Sequence, residues 1–284
     1  MCEVRRDSRE FQPPRQLRGV RGEEGGDKGA SVTTPAKMNV LDLFSGIGAF
    51  SLGLERAGFK TVAFCEINRF CRRVLAKHWP EVSIYDDVRT LTAERLRADG
   101  IRVDVVCGGF PCTDISRAKM HRWTGIDGEQ SGLWSEYARL IGELRPLYAI
   151  VENTADLLGR GFERILGDLA ALGYDAEWHC ITAAAVNAPH LRDRLWLVAY
   201  PNCERLEGQH GYWQSPRHIG GGGHGATRLL SAITAEDWLP EPGVCRVVDG
   251  ILERVERTRA LGNSLVPQIP ELIGRAILAA ERRP

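Results

Sequence analysis

From residue 38 onward, short apolar runs alternate with amphipathic stretches. Runs bounded by glycine, proline or polar residues read as buried strands over 38–43, 60–65, 103–107, 147–151, 174–181 and 195–200. Stretches with apolar residues three and four apart read as helices over 49–57, 68–78, 133–144, 162–172 and 266–280, the last begun near Pro267. A third short strand ends near Asp87, in Tyr85-Asp-Asp-Val88. Strands alternating with helices predict an α/β fold with a doubly wound, mostly parallel sheet.

Two segments break the pattern. Residues 1–37 are rich in Arg, Glu, Gly and Pro and read as a disordered tail or an over-extended start. Residues 201–261 are rich in Gly, His, Pro and Trp, include the run Gly220 to Gly223, and show no regular period. They are too long for an ordinary loop, so they form either a small second lobe or a binding segment.

Composition changes this picture little. With 284 residues, 43% of them hydrophobic, the chain suffices for one large domain or one domain with an appendage. A formal net charge of zero argues mildly against a dedicated nucleic-acid binder, although a local basic face is sufficient for one. The eight cysteines contain no C-x-x-C pair, which excludes zinc-ribbon and thioredoxin-type readings and fits a reducing, cytoplasmic setting. No apolar leader and no run long enough to span a bilayer is evident, so no membrane is expected.

The chemistry gathers at strand ends. Gly108-Gly-Phe-Pro-Cys112 follows the strand over 103–107 and delivers a thiol onto a sharp loop. A thiol outside the carboxyl end of a strand is a candidate nucleophile, although a buried structural cysteine reads equally well from this stretch alone. Phe44-Ser-Gly-Ile-Gly48 sits between the first strand and first helix, where a glycine turn lets backbone approach a ligand. Ser51 breaks the full G-x-G-x-x-G spacing, so a dinucleotide fingerprint is not satisfied. Glu66 lies about 20 residues on, where an acid grips the ribose of an adenosine cofactor. Asp87 either contacts an adenine or is a solvated turn acid.

Together these stretches resemble the DNA cytosine-5 methyltransferase family, in particular its small phage-type members. The resemblance is carried by Asp42-Leu-Phe-Ser-Gly-Ile-Gly48, Gly109-Phe-Pro-Cys112, Glu152-Asn153, Arg192-Asp-Arg194 and Gly262-Asn-Ser264, in the family's order. It implies a Rossmann-like, S-adenosylmethionine-dependent fold: residues 38–200 as catalytic domain, 201–261 as target-recognition region, 262–284 as a returning helix. It implies S-adenosyl-L-methionine as methyl donor, held by Phe44, Ser45, Gly46, Ile47, Gly48, Glu66, Ile67, Asp87, Pro111 and Asn263. The acceptor it implies is a cytosine flipped out of double-stranded DNA. Cys112 would add to carbon 6 of the ring, turning carbon 5 into a nucleophile. Glu152 would bind N3 and the exocyclic amine, with Arg194 on the base and Arg192 nearby.

Ser116 matches a phosphate-contacting serine of the family. Arg117, Lys119 and Arg122 follow it in a basic loop that either closes on the DNA backbone or is simply solvated. Arg217 and Arg228, with Trp213 and Trp238, either read bases or form the core of a small lobe. Cys203, His210, His218, His224 and Cys245 fit no zinc-finger spacing, and no metal is expected. Thr113, Thr154 and His190 depart from the family's usual residues without touching the nucleophile or the acid. The resemblance further implies a monomer, with a companion restriction endonuclease as a functional, not necessarily physical, partner. Two alternatives stay open: a tRNA cytosine methyltransferase and a catalytically silent DNA-binding module.

Overall fold

A computed structural model describes residues 37–111, 133–202 and 254–282. Strand β1 (Asn39–Leu43) leads through the glycine turn into helix α1 (Ala49–Ala57). There follow β2 (Lys60–Cys65), α2 (Arg69–His78), β3 (Ser83–Tyr85), α3 (Ala93–Ala98), β4 (Val105–Gly108) and α4 (Trp134–Leu144). Then come β5 (Tyr148–Thr154), α5 (Phe162–Ala171), β6 (Tyr174–Thr182), β7 (Asp193–Pro201), α6 (Arg254–Asn263) and α7 (Gln268–Glu281).

The sheet order is β3-β2-β1-β4-β5-β7-β6. β3, β2, β1, β4 and β5 pair in parallel, and β7 runs antiparallel to both β5 and β6. The expected mostly parallel, doubly wound α/β sheet is therefore present. Its central strands are apolar on both faces because helices cover both. Along β1, Leu41 and Leu43 enter one core with Leu96, Leu140 and Ile165 of α3, α4 and α5. Val40 enters the other, with Phe50 and Leu54 of α1 and Ile269 and Leu272 of α7. The strand order reverses at β1 and β4, so a crevice opens outside their carboxyl ends.

Helix α3 is not among the helices the pattern predicts, and three further elements depart from it. The apolar run ends β5 at residue 151, but the structure carries it through Thr154, because β7 supplies antiparallel partners for Glu152, Asn153 and Thr154. β7 likewise begins at Asp193 rather than 195, since its first residues pair with the end of β6. Helix α6 lies largely within the stretch that shows no period. Four of its ten residues are charged, and Ala260 is its one buried residue among the described side chains, so no apolar stripe announces it.

α7 returns from the end of the chain to pack on α1. A Cβ on Gly53 would overlap the Pro267 carbonyl oxygen and lie 2.7 Å from Cγ of Pro270, and one on Gly274 would lie 2.8 Å from Cβ of Ala57. The two helices touch only because both positions lack a side chain. Gly53→Ala is expected to force them apart and destabilise the protein by about 1–3 kcal/mol, read as a lower urea midpoint.

Candidate active site

The glycine turn after β1 is held by side chains of its own neighbourhood. Phe44, Gly46 and Gly48 adopt positive φ (52°, 55° and 85°), which costs a non-glycine residue like Phe44 most. Ser45 stitches the turn to its neighbours: its Oγ donates to the Asp42 carbonyl at 2.6 Å and accepts the Cys65 N–H at 3.2 Å. Glu66 holds it from the end of β2. Its two carboxylate oxygens accept the N–H of Gly46 and of Asn68, each at 2.7 Å. Asn68 in turn caps α2 by accepting from Phe70 and Cys71. Beneath, the Trp79 ring fills the space that a Cβ on Gly48 would need.

Above the turn the space is open, since a Cβ on Gly46 would meet nothing within 4 Å. Ile67, 66% exposed, stands beside it next to the Glu66 carboxylate. Asp87 lies two residues past β3. Its carboxylate is gripped by the Arg89 guanidinium and backbone N–H, which hold it below the usual carboxylate range. An exposed apolar side chain, acids at two adjacent strand ends and an open glycine turn fit an adenosine-bearing ligand.

Asp42 lies under this turn, fully buried, and is a group the sequence pattern does not single out. Oδ2 accepts from Ser51 Oγ at 2.7 Å and from the Ser51 N–H at 3.3 Å, tying β1 to α1. Burial pushes its carboxyl from 3.8 up to about 7, against the pull of the Ser51 hydrogen bonds. A carboxyl whose folded pKa is raised contributes stability that is full below its unfolded pKa and is lost as pH rises through the folded one. Asp42→Asn is therefore expected to flatten the fall in melting temperature between about pH 4 and pH 7. Thermal scans of both proteins across that range check it.

The second cluster faces the end of β4. Gly108 has no room for a Cβ against the Leu43 carbonyl, and a Cβ on Gly109 would lie 2.5 Å from Oε2 of Glu152. Asn153, buried in β5, donates from Nδ2 to the Phe110 carbonyl at 3.2 Å. The Phe110 ring packs against Trp134 at 5.8 Å between centroids. The Gly108–Phe110 backbone is thus held from β1, β5 and α4. Glu152 pairs with Arg194, Oε1 to Nε at 3.0 Å. Burial raises the Glu152 carboxyl above its usual range, while Arg194 and Arg192 pull it back. A carboxyl raised in this way holds a proton more readily than a solvated one.

A family model for C-5 cytosine-specific DNA methylases matches residues 38–231, most of the chain. The chain belongs to this family. Among curated relatives, type II methyltransferase M2.BsuMI of Bacillus subtilis is 34% identical over 170 residues, 57% of this chain and 42% of that protein. Type II methyltransferase M.Eco47II of Escherichia coli is 36% identical over 169 residues, 57% of this chain and 39% of that protein. The matches thus span less than half the length of these relatives. Two solved structures share the fold across 87% of this chain and all of theirs. One, described as a DNA modification methyltransferase encoded within an E. coli prophage, has 18% identity and a TM-score of 0.59. The other, the Entamoeba histolytica methyltransferase EhMeth, has 13% identity and a TM-score of 0.61.

On this C-5 methylase fold, Phe44 to Gly48, Glu66, Ile67 and Asp87 gather at the ends of β1, β2 and β3, and Pro111, Glu152 and Arg194 at the ends of β4, β5 and β7. Arg192 and Arg194 take separate partners: Arg192 Nη1 donates to the Gly262 carbonyl at 2.8 Å. Asn263 is the exposed last residue of α6. Cys112, Ser116, Arg117, Lys119, Arg122, Arg217 and Arg228 lie outside the described residues, as do the cysteines and histidines weighed as zinc ligands in 203–245. Among the described residues no group of three metal-ligating side chains occurs, and no helix is long and apolar enough to cross a membrane. Asn153 is legible only through the Glu152-Asn153 motif, and neither Trp79 nor the pairing of Arg192 with Gly262 leaves a signal in the sequence.

Proposed function

We propose that this protein is a DNA cytosine-5 methyltransferase. The observation that carries the reading is the Glu152–Arg194 pair, seated against a Gly109-Phe-Pro111 turn whose next residue is Cys112. The glycine turn, Glu66, Ile67 and Asp87 would hold S-adenosyl-L-methionine, with Pro111 and Asn263 completing the site. When bound, it supplies an electrophilic methyl group on a sulfonium.

The residues of the chain then do the rest. The Cys112 thiolate forms a bond to carbon 6 of a flipped cytosine, and the ring electrons move toward N3. Glu152, whose carboxyl burial raises above its usual range, gives N3 a proton and accepts from the exocyclic amine. Arg194 holds the Glu152 carboxyl in place and faces the base. Transfer of the methyl group to carbon 5 would break its bond to the sulfonium sulfur; the carbon 5 proton then leaves to solvent, N3 returns its proton to Glu152, and the bond from sulfur to carbon 6 breaks to release the Cys112 thiolate. Ser116, Arg117, Lys119 and Arg122 would meet the DNA backbone, with Arg217 and Arg228 in the target-recognition region. Base extrusion costs a few kcal/mol, which these contacts offset. The same reading makes the protein a cytoplasmic monomer that works beside a restriction endonuclease.

Bisulfite sequencing of plasmid DNA from cells expressing the protein, beside a Cys112→Ser control, tests this. Methylated cytosines in one short sequence context, absent from the control, are the expected result. Equal methylation by the Cys112→Ser protein would overturn the mechanism. A folded protein that methylates tRNA and leaves DNA untouched would overturn the substrate.

A further inference from the structure

Arg192 and Arg194 stand two residues apart, yet they serve different parts of the molecule. Arg194 pairs with Glu152. Arg192 reaches across 70 residues of sequence to the carbonyl of Gly262. Gly262 lies in the last turn of α6, where carbonyls lack partners within the helix and the dipole end is negative. A guanidinium suits that position. The Arg192 charge is also felt at Glu152, where it opposes the effect of burial. One side chain therefore acts on the acid of the base site and on the end of α6.

Gly262 leads in two directions. Four residues on is Val266, buried in the core with α1, and the Pro267 carbonyl that follows lies against Gly53 of α1 with no room for a Cβ. α1 starts directly after Gly48, the end of the glycine turn. Backward, α6 begins at Arg254, inside the stretch read as target-recognition region. The Arg192–Gly262 hydrogen bond joins β7 to the segment that connects both.

We propose that Arg192 is a positioning residue that ties the entry to β7 to the cofactor turn through Gly262, rather than a group that touches the base. The proposal rests on the methyltransferase reading above. It requires the effect of Arg192 on cofactor binding to be present without DNA, because each contact in the chain of coupling is made within the protein.

The test is calorimetric binding of S-adenosylmethionine to the full-length protein without DNA, with Arg192→Met, Arg192→Lys and Arg194→Met beside wild type. Arg192→Met is expected to weaken binding about three- to tenfold. Arg192→Lys, which keeps a charged donor, is expected to recover most of the loss, and Arg194→Met to bind within about twofold of wild type. Melting temperatures without ligand check that each variant is folded. Wild-type cofactor affinity in Arg192→Met, with a defect confined to DNA affinity or turnover, would overturn the proposal. So would a folded Arg192→Lys protein that binds no better than Arg192→Met. A wild-type protein that fails to bind S-adenosylmethionine would instead overturn the methyltransferase reading, so the two failures are distinguishable.

Discussion

Glu152→Gln is expected to cut methyl transfer by about 10²–10⁴-fold while leaving cofactor affinity and DNA binding near wild type. Gln keeps the shape of the side chain. Its carbonyl can still accept from the exocyclic amine of cytosine, and its NH₂ can face N3. It cannot give N3 a proton, so the negative charge that builds on the ring as the thiolate adds is not neutralised. The loss therefore falls on kcat and spares the ground-state complex. The pairing with Arg194 predicts a further detail. An amide oxygen can replace Oε1 as acceptor at 3.0 Å, so Arg194 stays in place and the melting temperature is little changed. Single-turnover rates with labelled methyl donor, beside a filter-binding measurement of DNA affinity, read the two quantities separately. A rate within tenfold of wild type would remove Glu152 from the chemistry.

Gly109→Ala is expected to cost about 10²-fold in turnover at almost no cost in stability. The two effects separate because of what the new Cβ would meet. Its nearest neighbour is Oε2 of Glu152 at 2.5 Å, the far end of a side chain that can swing away. Folding tolerates that movement. Catalysis does not, because the displaced carboxylate leaves its place beside Arg194 and the base pocket. Gly108→Ala is the contrasting case. There the Cβ would run into the Leu43 carbonyl, which is backbone of the central strand, at a residue with φ 156°. Thermal unfolding of the two variants beside their rates distinguishes a displaced side chain from a displaced strand. Equal loss of stability in both would show that Glu152 is less free to move than its geometry indicates.

How much of the protein was legible depends on how local each feature is. α1 and β2 are readable to the residue, because Gly58 closes a clean helical period and opens a short apolar run. The glycine turn and Glu66 are readable because turn residues sit directly after apolar strands. The end of β5 is not, since Glu152, Asn153 and Thr154 are polar and extend only because β7 pairs with them. α6 is invisible to periodicity, having almost no apolar face to repeat.

The local order of apolar runs and turn residues determined the fold class, the strand ends at which the chemistry gathers, and the family resemblance. Periodicity and steric turn preferences act over a few residues, so one chain suffices to express them. Tertiary structure alone decided which side chains meet across the sheet. It gave Glu66 to the Gly46 and Asn68 amides, Asn153 to the Phe110 carbonyl, and Arg192 to Gly262 rather than to the partner of Arg194. It also raised the Asp42 carboxyl to about 7, because burial is a property of everything packed around a group. Such partners are separated by tens of residues in sequence, and no local pattern encodes a distance that only the closed sheet and its helices create.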